Sequence, residues 1–198
     1  MNEMIIKEIA DGILKANQQN GSKPSTNAVL PKIALVGTEC VGKTSLFNSI
    51  TGTRKGTISS TPSDFEQIIQ EQWADAIRIF DGPSYKGKFD QVFVDYINSI
   101  DLFIQVCDIE TIRRNDRRLV DILSSELGKP VLIVLNKCEK AITSEKRNLL
   151  VEHAEKSLGK NVICVSAQTG ENVALLLSEA CSLLPNPTKI EVIEYIVN

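Results

Sequence analysis

The stretch from Ile33 to Ser45 constrains the fold more than any other part of the chain. It reads Ile-Ala-Leu-Val-Gly-Thr-Glu-Cys-Val-Gly-Lys-Thr-Ser, so an apolar run ends at Gly37 and a helical pattern begins after Gly42. The pattern G-x-x-x-x-G-K-[ST] directs successive backbone N–H groups and the positive end of a helix at polyphosphate oxygens. The stretch therefore predicts a phosphate-binding loop between a strand and a helix.

Each polar or small residue of this loop suits a separate task. Gly37 and Gly42 permit the tight turn and the close approach of the backbone to a ligand. Lys43 can reach the β- and γ-phosphates, and the Thr44 hydroxyl can bind Mg²⁺. The alternative is a chance match in an ordinary strand–turn–helix, which the motifs further along the chain argue against.

From residue 29 the chain alternates apolar runs with amphipathic stretches, which indicates β/α units around a sheet. Strands are predicted at 32–36, 65–72, 76–80, 102–107, 131–135 and 161–165, and helices at 43–51, 88–99, 114–126, 143–158 and 171–184. A hairpin turn at 73–75 would place one antiparallel strand at the sheet edge. The predicted fold class is α/β: a three-layer P-loop NTPase sandwich with a mostly parallel six-stranded sheet and one antiparallel edge strand.

The two ends of the chain lie outside this alternation. Residues 1–28 are predicted to form an N-terminal amphipathic helix, at 1–16, followed by a polar linker. A domain at 29–186 follows, and the tail at 187–198 fits either a short helix or an extra strand. The helix could dock on its own domain, on a protein partner, on a second copy or on a membrane. Its few cations make the membrane the weakest of these alternatives.

The composition narrows the class of protein further. A net charge of −3 gives no strong signal for nucleic-acid binding. The five cysteines lack the paired spacing of a zinc or redox site, so reduced thiols are expected. No apolar run approaches 18 residues, so neither a transmembrane segment nor a signal peptide is expected. These features favour a cytoplasmic protein.

Three further motifs each follow a predicted strand: Asp81-Gly82-Pro83-Ser84, Asn136-Lys137-Cys138-Glu139 and Ser166-Ala167-Gln168. Asp81 would lie beside the phosphate-binding loop, in the crevice where open α/β sheets bind ligands, and could hold Mg²⁺ directly or through water. With the loop at Gly37–Thr44, these motifs resemble the small GTPases of the Era, EngA and FeoB kind, in the translation-factor-related class. The resemblance covers residues 32–185.

The resemblance implies a guanine-nucleotide site with GTP or GDP and Mg²⁺ as cofactors. Asn136 and Lys137 would brace the phosphate-binding loop and cover the base, while Ala167 would donate its N–H to guanine O6. Glu139 would accept hydrogen bonds from guanine N1–H and N2–H₂, a donor pair that adenine lacks. The implied nucleotide-binding residues are Gly37, Glu39, Cys40, Val41, Gly42, Lys43, Thr44, Ser45, Asp81, Ser84, Asn136, Lys137, Glu139, Ser166, Ala167 and Gln168. The implied metal ligands are Thr44, Asp81 and Thr61, and the implied catalytic residues are Lys43 and Thr61.

Several positions depart from the family pattern. Glu139 stands where Asp is usual, on a stem one methylene longer. Ser84 replaces a Gly whose N–H meets the γ-phosphate, and serine resists positive φ, so triphosphate sensing is expected to be blunted. Tyr85 stands where Ras-type enzymes carry the Gln that positions the attacking water. Glu39 stands close to the path of a partner's arginine finger, and Cys40 replaces the Asn of potassium-activated relatives, so potassium activation is not expected.

The switch-one threonine has several candidates. Alignment with the family pattern places Phe65 where the Mg²⁺-binding Thr should be, and Thr57, Thr61 or Ser63 could substitute. Thr61 is preferred among them. A cluster of arginines at the start of the helix at 114–126 indicates a solvated face, with a partner site or an arginine finger as the alternatives.

Two functions remain open from the sequence. The resemblance implies a guanine-nucleotide-binding switch protein with slow Mg²⁺-dependent GTP hydrolysis. The departures at Glu39, Phe65, Ser84 and Tyr85 favour a catalytically weak GTP-binding scaffold or assembly module that recruits an unknown protein partner through its N-terminal helix. An ATP-using kinase or transport ATPase would not explain the motif at 136–139.

Overall fold

The computed structural model of the chain describes residues 30–52, 69–73, 77–89, 94 and 97–184. The amphipathic helix predicted at 1–16 and the tail at 187–198 lie outside these ranges. The switch-one candidates Thr57, Thr61 and Ser63 lie outside them as well. No helix in the described ranges is long and apolar enough to cross a membrane.

The strands are β1 (Lys32–Gly37), β2 (Ile69–Trp73), β3 (Ile77–Ser84), β4 (Leu102–Asp108), β5 (Val131–Asn136) and β6 (Val162–Cys164). In the described part of the chain they form a six-stranded sheet in the order β2-β3-β1-β4-β5-β6. Five strands run parallel, since β1 pairs in parallel with β3 and β4, β4 with β5, and β5 with β6. At the edge, β2 pairs antiparallel with β3. The carboxyl ends of β1, β3, β4 and β5 therefore lie side by side.

The described helices are α1 (Lys43–Thr51), α2 (Arg114–Asp121), α3 (Ser144–Leu158) and α4 (Val173–Leu183). Their positions agree with the predicted helices to within a few residues. The helix α2 continues as a π-helical turn over Ile122–Glu126, so the predicted helix at 114–126 changes its hydrogen-bond pattern halfway. Most of the helix predicted at 88–99 lies outside the described residues.

Strand β3 differs from its prediction at residues 76–80. It runs on to Ser84 because β1 continues to pair with it, Gly37 opposite Ser84, past an irregularity between Leu35 and Gly37. Trp73, predicted to lie in the hairpin turn, instead pairs with Ile77 as the last residue of β2. The motif at 81–84 is therefore part of the sheet rather than a loop after it.

Alternate residues of the central strands bury opposite faces of the sheet. Ile33 and Leu35 of β1 pack with Phe47 of α1 and Leu176 of α4 on one face. Ala34 and Val36 of β1 pack on the other face with Leu119 of α2, and β5 packs there against α3. Helices on both faces make three layers and cover the sheet, which explains why its strands are continuously apolar.

Candidate functional site

The phosphate-binding loop has a backbone that only glycine accommodates at two positions. Gly42 adopts φ 91°, in the left-handed region, and a Cβ there would overlap Nδ2 of Asn136. A Cβ on Gly37 would overlap the carbonyl oxygen of Val106. Close packing against Asn136 and Val106 therefore requires glycine at both positions, whereas the predicted close approach to a ligand stays a prediction.

Lys43 and Thr44 lie at the start of α1 and reach two different strand ends. The Lys43 ammonium, with the side chain buried, donates to the Thr38 carbonyl at 3.1 Å and to Ser84 Oγ at 2.7 Å. Thr44 Oγ1 donates to Asp81 Oδ2 at 2.6 Å. The loop, α1 and β3 thus bring a cation, a hydroxyl and a carboxylate together at one point.

The arrangement of Thr44 and Asp81 fits a magnesium ion. Hydroxyl and carboxylate oxygens are the ligands that Mg²⁺ prefers, with water and phosphate oxygens completing its shell. The two oxygens lie side by side, so both would be available to hold one Mg²⁺ ion in place of the hydrogen bond between them. The third predicted ligand, Thr61, lies outside the described residues.

Asn136 connects three segments of the site. Its Nδ2 donates to the carbonyls of Val41 at 3.0 Å and Gly42 at 3.4 Å. Its Oδ1 accepts the N–H of Ala167 at 3.0 Å, and the side chain is 1% exposed. The amide therefore joins the phosphate-binding loop to the segment at 166–168, two regions that the sequence predicted to form one site.

Lys137 adds a second connection to the same loop. It adopts φ 68°, and its ammonium donates to the Cys40 carbonyl at 2.6 Å and to Asp108 Oδ2 at 2.7 Å. Burial raises the pKa of Asp108, but the hydrogen bonds from Lys137 and from the N–H of Glu110 outweigh it, so the pKa lies below its ordinary value. Asp108 stays ionised and orients Lys137 across the loop.

Glu139 has the chemistry expected of a carboxylate that accepts hydrogen bonds from a purine base. It lies in the 3₁₀ turn Cys138–Lys140, directly after β5. Its Oε2 atom is buried and accepts no hydrogen bond within the described part of the chain. A buried oxygen without a donor costs about 1–3 kcal/mol or more when charged. The paired N–H donors of guanine would satisfy it, so the residue present fits that base.

We call the turn at Cys138–Lys140 and the segment at 166–171 the base-side segments. An ion pair that the sequence did not reveal holds them together. Arg147 of α3 pairs with Glu171, which follows the segment at 166–168, and also donates to the Cys138 carbonyl. The Cys138 thiol donates to the other oxygen of Glu171. The hydrogen bond from Arg147 lowers the pKa of Glu171. Burial and the neighbouring carboxylate raise the pKa of Cys138 to about 12, so this thiol stays protonated and unreactive.

A second unpredicted network braces the other end of the phosphate-binding loop. Thr38 Oγ1 donates to Asp116 at 2.9 Å and accepts from Arg113 at 2.8 Å, and Arg113 also donates to the Glu39 carbonyl at 2.8 Å. Asp116 in turn accepts the N–H of Arg113, the N-cap of α2. Burial raises the pKa of Asp116. An acidic residue three positions after the N-cap was the only available signal.

Arg113 therefore differs from the other arginines of its cluster. It contacts the phosphate-binding loop, whereas Arg117 and Arg118 pair with Asp121 and Glu126 on the surface. The interpretation of the cluster as a solvated face holds for Arg114, Arg117 and Arg118, which are exposed.

Tyr85 lies beside the site but does not enter it. Its side chain is 3% exposed, its hydroxyl donates to the Gly87 carbonyl at 3.0 Å, and its ring lies 5.0 Å from that of Phe89. Its N–H donates to the Gly37 carbonyl at 2.9 Å. The side chain of Tyr85 therefore belongs to the core, and its backbone N–H attaches the end of β3 to the phosphate-binding loop.

The predicted site residues that the structure describes lie around this one carboxyl edge. They belong to the phosphate-binding loop, the end of β3, the end of β5 and the segment after β6. Glu39 carries an ion pair with Lys86 at 2.9 Å, and Gln168 is exposed. Thr61 is the one predicted site residue whose placement is not described.

Comparisons with known proteins give a consistent result. A family model described as 50S ribosome-binding GTPase matches residues 32–137. The chain is 28% identical over 169 residues to the GTPase Era of Alkaliphilus oremlandii, covering 79% of this chain and 57% of that protein. It is 29% identical over 157 residues to the probable GTP-binding protein EngB of Malacoplasma penetrans, covering 72% and 83%. The structure of S. thermophilus NFeoB bound to GDP·AlF₄⁻ matches with a TM-score of 0.65 and 25% identity, over 79% of this chain and 66% of that one.

Proposed function

The chain belongs to the 50S ribosome-binding GTPase family, which confirms the resemblance inferred from its motifs, and we propose that it is a guanine-nucleotide-binding switch protein with slow Mg²⁺-dependent GTP hydrolysis. The chain spans little more than half of the Era relative named above, so activity is proposed for this domain alone.

The observation that carries the proposal is the position of Asn136. Its one amide group ties the phosphate-binding loop to the segment carrying Ala167. The residues proposed to bind the triphosphate and those proposed to bind the base are therefore neighbours, which supports a single nucleotide site. The buried, unsatisfied oxygen of Glu139 beside it supports guanine as the base. NFeoB of S. thermophilus, a structural neighbour, is itself described as bound to GDP·AlF₄⁻.

The residues at the phosphate end would stabilise the charge that develops as the γ-phosphate is cleaved. The Lys43 ammonium would contact the β- and γ-oxygens, and the backbone N–H groups of the loop would hold them in place. Thr44 and Asp81 would hold Mg²⁺, which neutralises phosphate charge when bound. An attacking water would then reach the γ-phosphorus in line with the leaving oxygen.

Hydrolysis is proposed to be slow because no residue in the described part of the chain is placed to orient that water. Tyr85 occupies the position of the water-positioning Gln, and its buried hydroxyl is engaged by Gly87. A residue that orients water contributes strongly to turnover in this reaction class. Among the described residues, Lys43 and the loop backbone support phosphate binding, whereas Tyr85 does not supply the water-orienting group.

Binding and turnover on the purified chain test the proposal. Affinities for GDP, GTP, ADP and ATP are measured by fluorescence with Mg²⁺ present, and phosphate release is followed under multiple-turnover conditions. We expect tight binding of guanine nucleotides only and slow, Mg²⁺-dependent phosphate release. Lys43→Ala should weaken binding of GTP at least tenfold, because a buried charge-assisted contact to phosphate is lost.

The matched control is Lys160→Ala, since Lys160 is an exposed lysine that follows α3 on the surface. It should bind and hydrolyse GTP as the wild-type chain does. Equal affinity for ATP and GTP, or unchanged binding after Lys43→Ala, would overturn the proposal.

The scaffold alternative is favoured by the same burial of Tyr85. On this alternative the chain binds GTP without turnover and recruits a partner through the amphipathic segment at 1–16. Steady phosphate release over many turnovers would exclude it. Binding without release, combined with loss of a co-purifying protein after Ile6→Asp and Ile13→Asp, would favour it over the switch protein.

A further inference from the structure

The contact between Lys43 and Ser84 links the phosphate-binding lysine to a side chain that the family pattern does not supply. Lys43 Nζ donates to Ser84 Oγ at 2.7 Å and to the Thr38 carbonyl at 3.1 Å. The lysine is only 7% exposed, so these contacts are made largely out of water. A glycine at position 84 would remove the first contact altogether.

The donor capacity of the ammonium makes this contact sensitive to the number of phosphates. A lysine has three N–H donors. A bound diphosphate calls for one donor to the β-phosphate, which leaves donors for the Thr38 carbonyl and for Ser84. A triphosphate calls for a donor to the γ-phosphate as well, so four acceptors, including Ser84 Oγ and the Thr38 carbonyl, then compete for three N–H groups.

The backbone of Ser84 is held in place, so only rotation of its side chain could take the hydroxyl away from Lys43. It is the last residue of β3 and pairs with Gly37 of β1. The next residue, Tyr85, is buried and donates its N–H to the Gly37 carbonyl at 2.9 Å. Lys86 then pairs with Glu39 at 2.9 Å. Consecutive residues thus attach this segment to the phosphate-binding loop.

We infer that Ser84 is a specificity-determining residue that shifts the site towards guanosine diphosphate by competing with the γ-phosphate for Lys43. This inference rests on the proposed function. It differs from an effect of serine on backbone φ, because it depends on the hydroxyl group. Ser84 lies in an ordinary strand, and Ser84 is not among the described residues with positive φ.

The test compares Ser84→Ala with Ser84→Thr. Affinities for GDP and for the non-hydrolysable analogue GMPPNP are measured on the full chain at saturating Mg²⁺. Ser84→Ala should bind GMPPNP about fivefold to tenfold more tightly than the wild-type chain, because about 1 kcal/mol of competing hydrogen bond is removed. Its affinity for GDP should change less than twofold. Ser84→Thr keeps a hydroxyl on a strand-compatible side chain and should retain the wild-type ratio.

Lys86→Ala is the control for loosening of the segment, since it breaks the contact to Glu39 without removing the Ser84 hydroxyl. It should leave the ratio of the two affinities near its wild-type value. An unchanged ratio in Ser84→Ala, or a ratio in Ser84→Thr equal to that in Ser84→Ala, overturns the inference while GDP binding by the wild-type chain upholds the proposed function. Failure of the wild-type chain to bind GDP overturns both.

Discussion

At the scale of single residues, Glu139 carries the proposed choice of base. Its buried Oε2 has no hydrogen-bond donor in the described part of the chain, and the N1–H and N2–H₂ groups of guanine provide two. An amide at this position offers one acceptor and one donor, which matches the N1–H and the C2 carbonyl of xanthine. Glu139→Asn should therefore weaken GDP binding at least tenfold and favour xanthosine diphosphate. Competition binding measures the relative affinity for the two diphosphates, and an unchanged preference would show that Glu139 does not contact the base.

Asp116 gives a prediction about pH. Two charged groups, Arg113 and Asp108, lie near it, and the Thr38 hydroxyl donates to it. Burial raises its pKa in the folded chain, so the folded state binds more protons than the unfolded state. The contribution of Asp116 to stability is then fullest below its unfolded pKa, about 3.9, and is lost as the pH rises through the folded pKa.

Asp116→Asn does not titrate and therefore isolates this effect. Urea unfolding of both proteins in steps from about pH 4, near the unfolded pKa, up to about pH 7 should show the wild-type chain gaining stability relative to the variant as the pH falls. Asp121→Asn, at an exposed position of the same helix, serves as the comparison. Parallel pH profiles for the wild-type chain and Asp116→Asn would contradict the raised pKa.

The site residues that the sequence identified are those that occur in motifs of fixed spacing, because that spacing predicts which residues lie together. The spacing from Gly37 to Thr44 and the position of Asn136 after a strand predicted their proximity, because parallel strands deliver their ends to one edge. Asp116 and Thr38 touch across 78 positions of sequence. A single carboxylate in a charged helix does not indicate which distant hydroxyl it will bind. The hydrogen bond between Thr38 and Asp116 could therefore not be predicted.

At the scale of elements, α3 and the segment after β6 are joined by one ion pair. Arg147→Met keeps the length of the side chain but removes the contacts to Glu171 and to the Cys138 carbonyl. Both ionic groups are about one-third exposed, so the expected effect is modest, about twofold to fivefold weaker GDP binding through faster dissociation. Stopped-flow release of labelled GDP measures it.

Arg118→Met is the matched control, since it removes the surface ion pair with Glu126. That pair lies on α2 and its π-helical turn, not on the base side of the site. Equal release rates for both variants would show that the contact between Arg147 and Glu171 does not position the base-side segments.

Element types were predictable, and some boundaries were not. The helices α1 and α3 are each followed by a Gly, and α4 begins after the polar Asn172 and ends two residues before Pro185. The strand β3 was expected to end at residue 80, because Gly82-Pro83 indicates a turn. Pairing of Ser84 with Gly37 extends it. Tertiary pairing between β1 and β3 outweighs the preference of Gly82-Pro83 for a turn. No local sequence pattern predicts such pairing.

At the scale of the whole molecule, the nucleotide is proposed to connect the ends of β1, β3, β5 and β6. A ligand that binds only the folded state stabilises all of these ends together. At 100 times its Kd, GDP with Mg²⁺ should add about 2.7 kcal/mol to the free energy of unfolding. For a chain of this size that corresponds to a rise in Tm of roughly 5–10 °C.

Thermal unfolding with GDP or ADP at equal concentration separates this effect from general binding of phosphate. ADP carries the same diphosphate but lacks the donor pair for Glu139, so it should raise the Tm by less than half as much. Lys43→Ala should reduce the response to both nucleotides, to about half or less of the wild-type shift if binding is weakened at least tenfold, because it removes the contact that they share. Equal shifts with GDP and ADP in the wild-type chain would show that phosphate contacts alone hold the ligand. In that case the base-side segment joined by Asn136 would be a structural feature of the sheet edge and not part of the binding site.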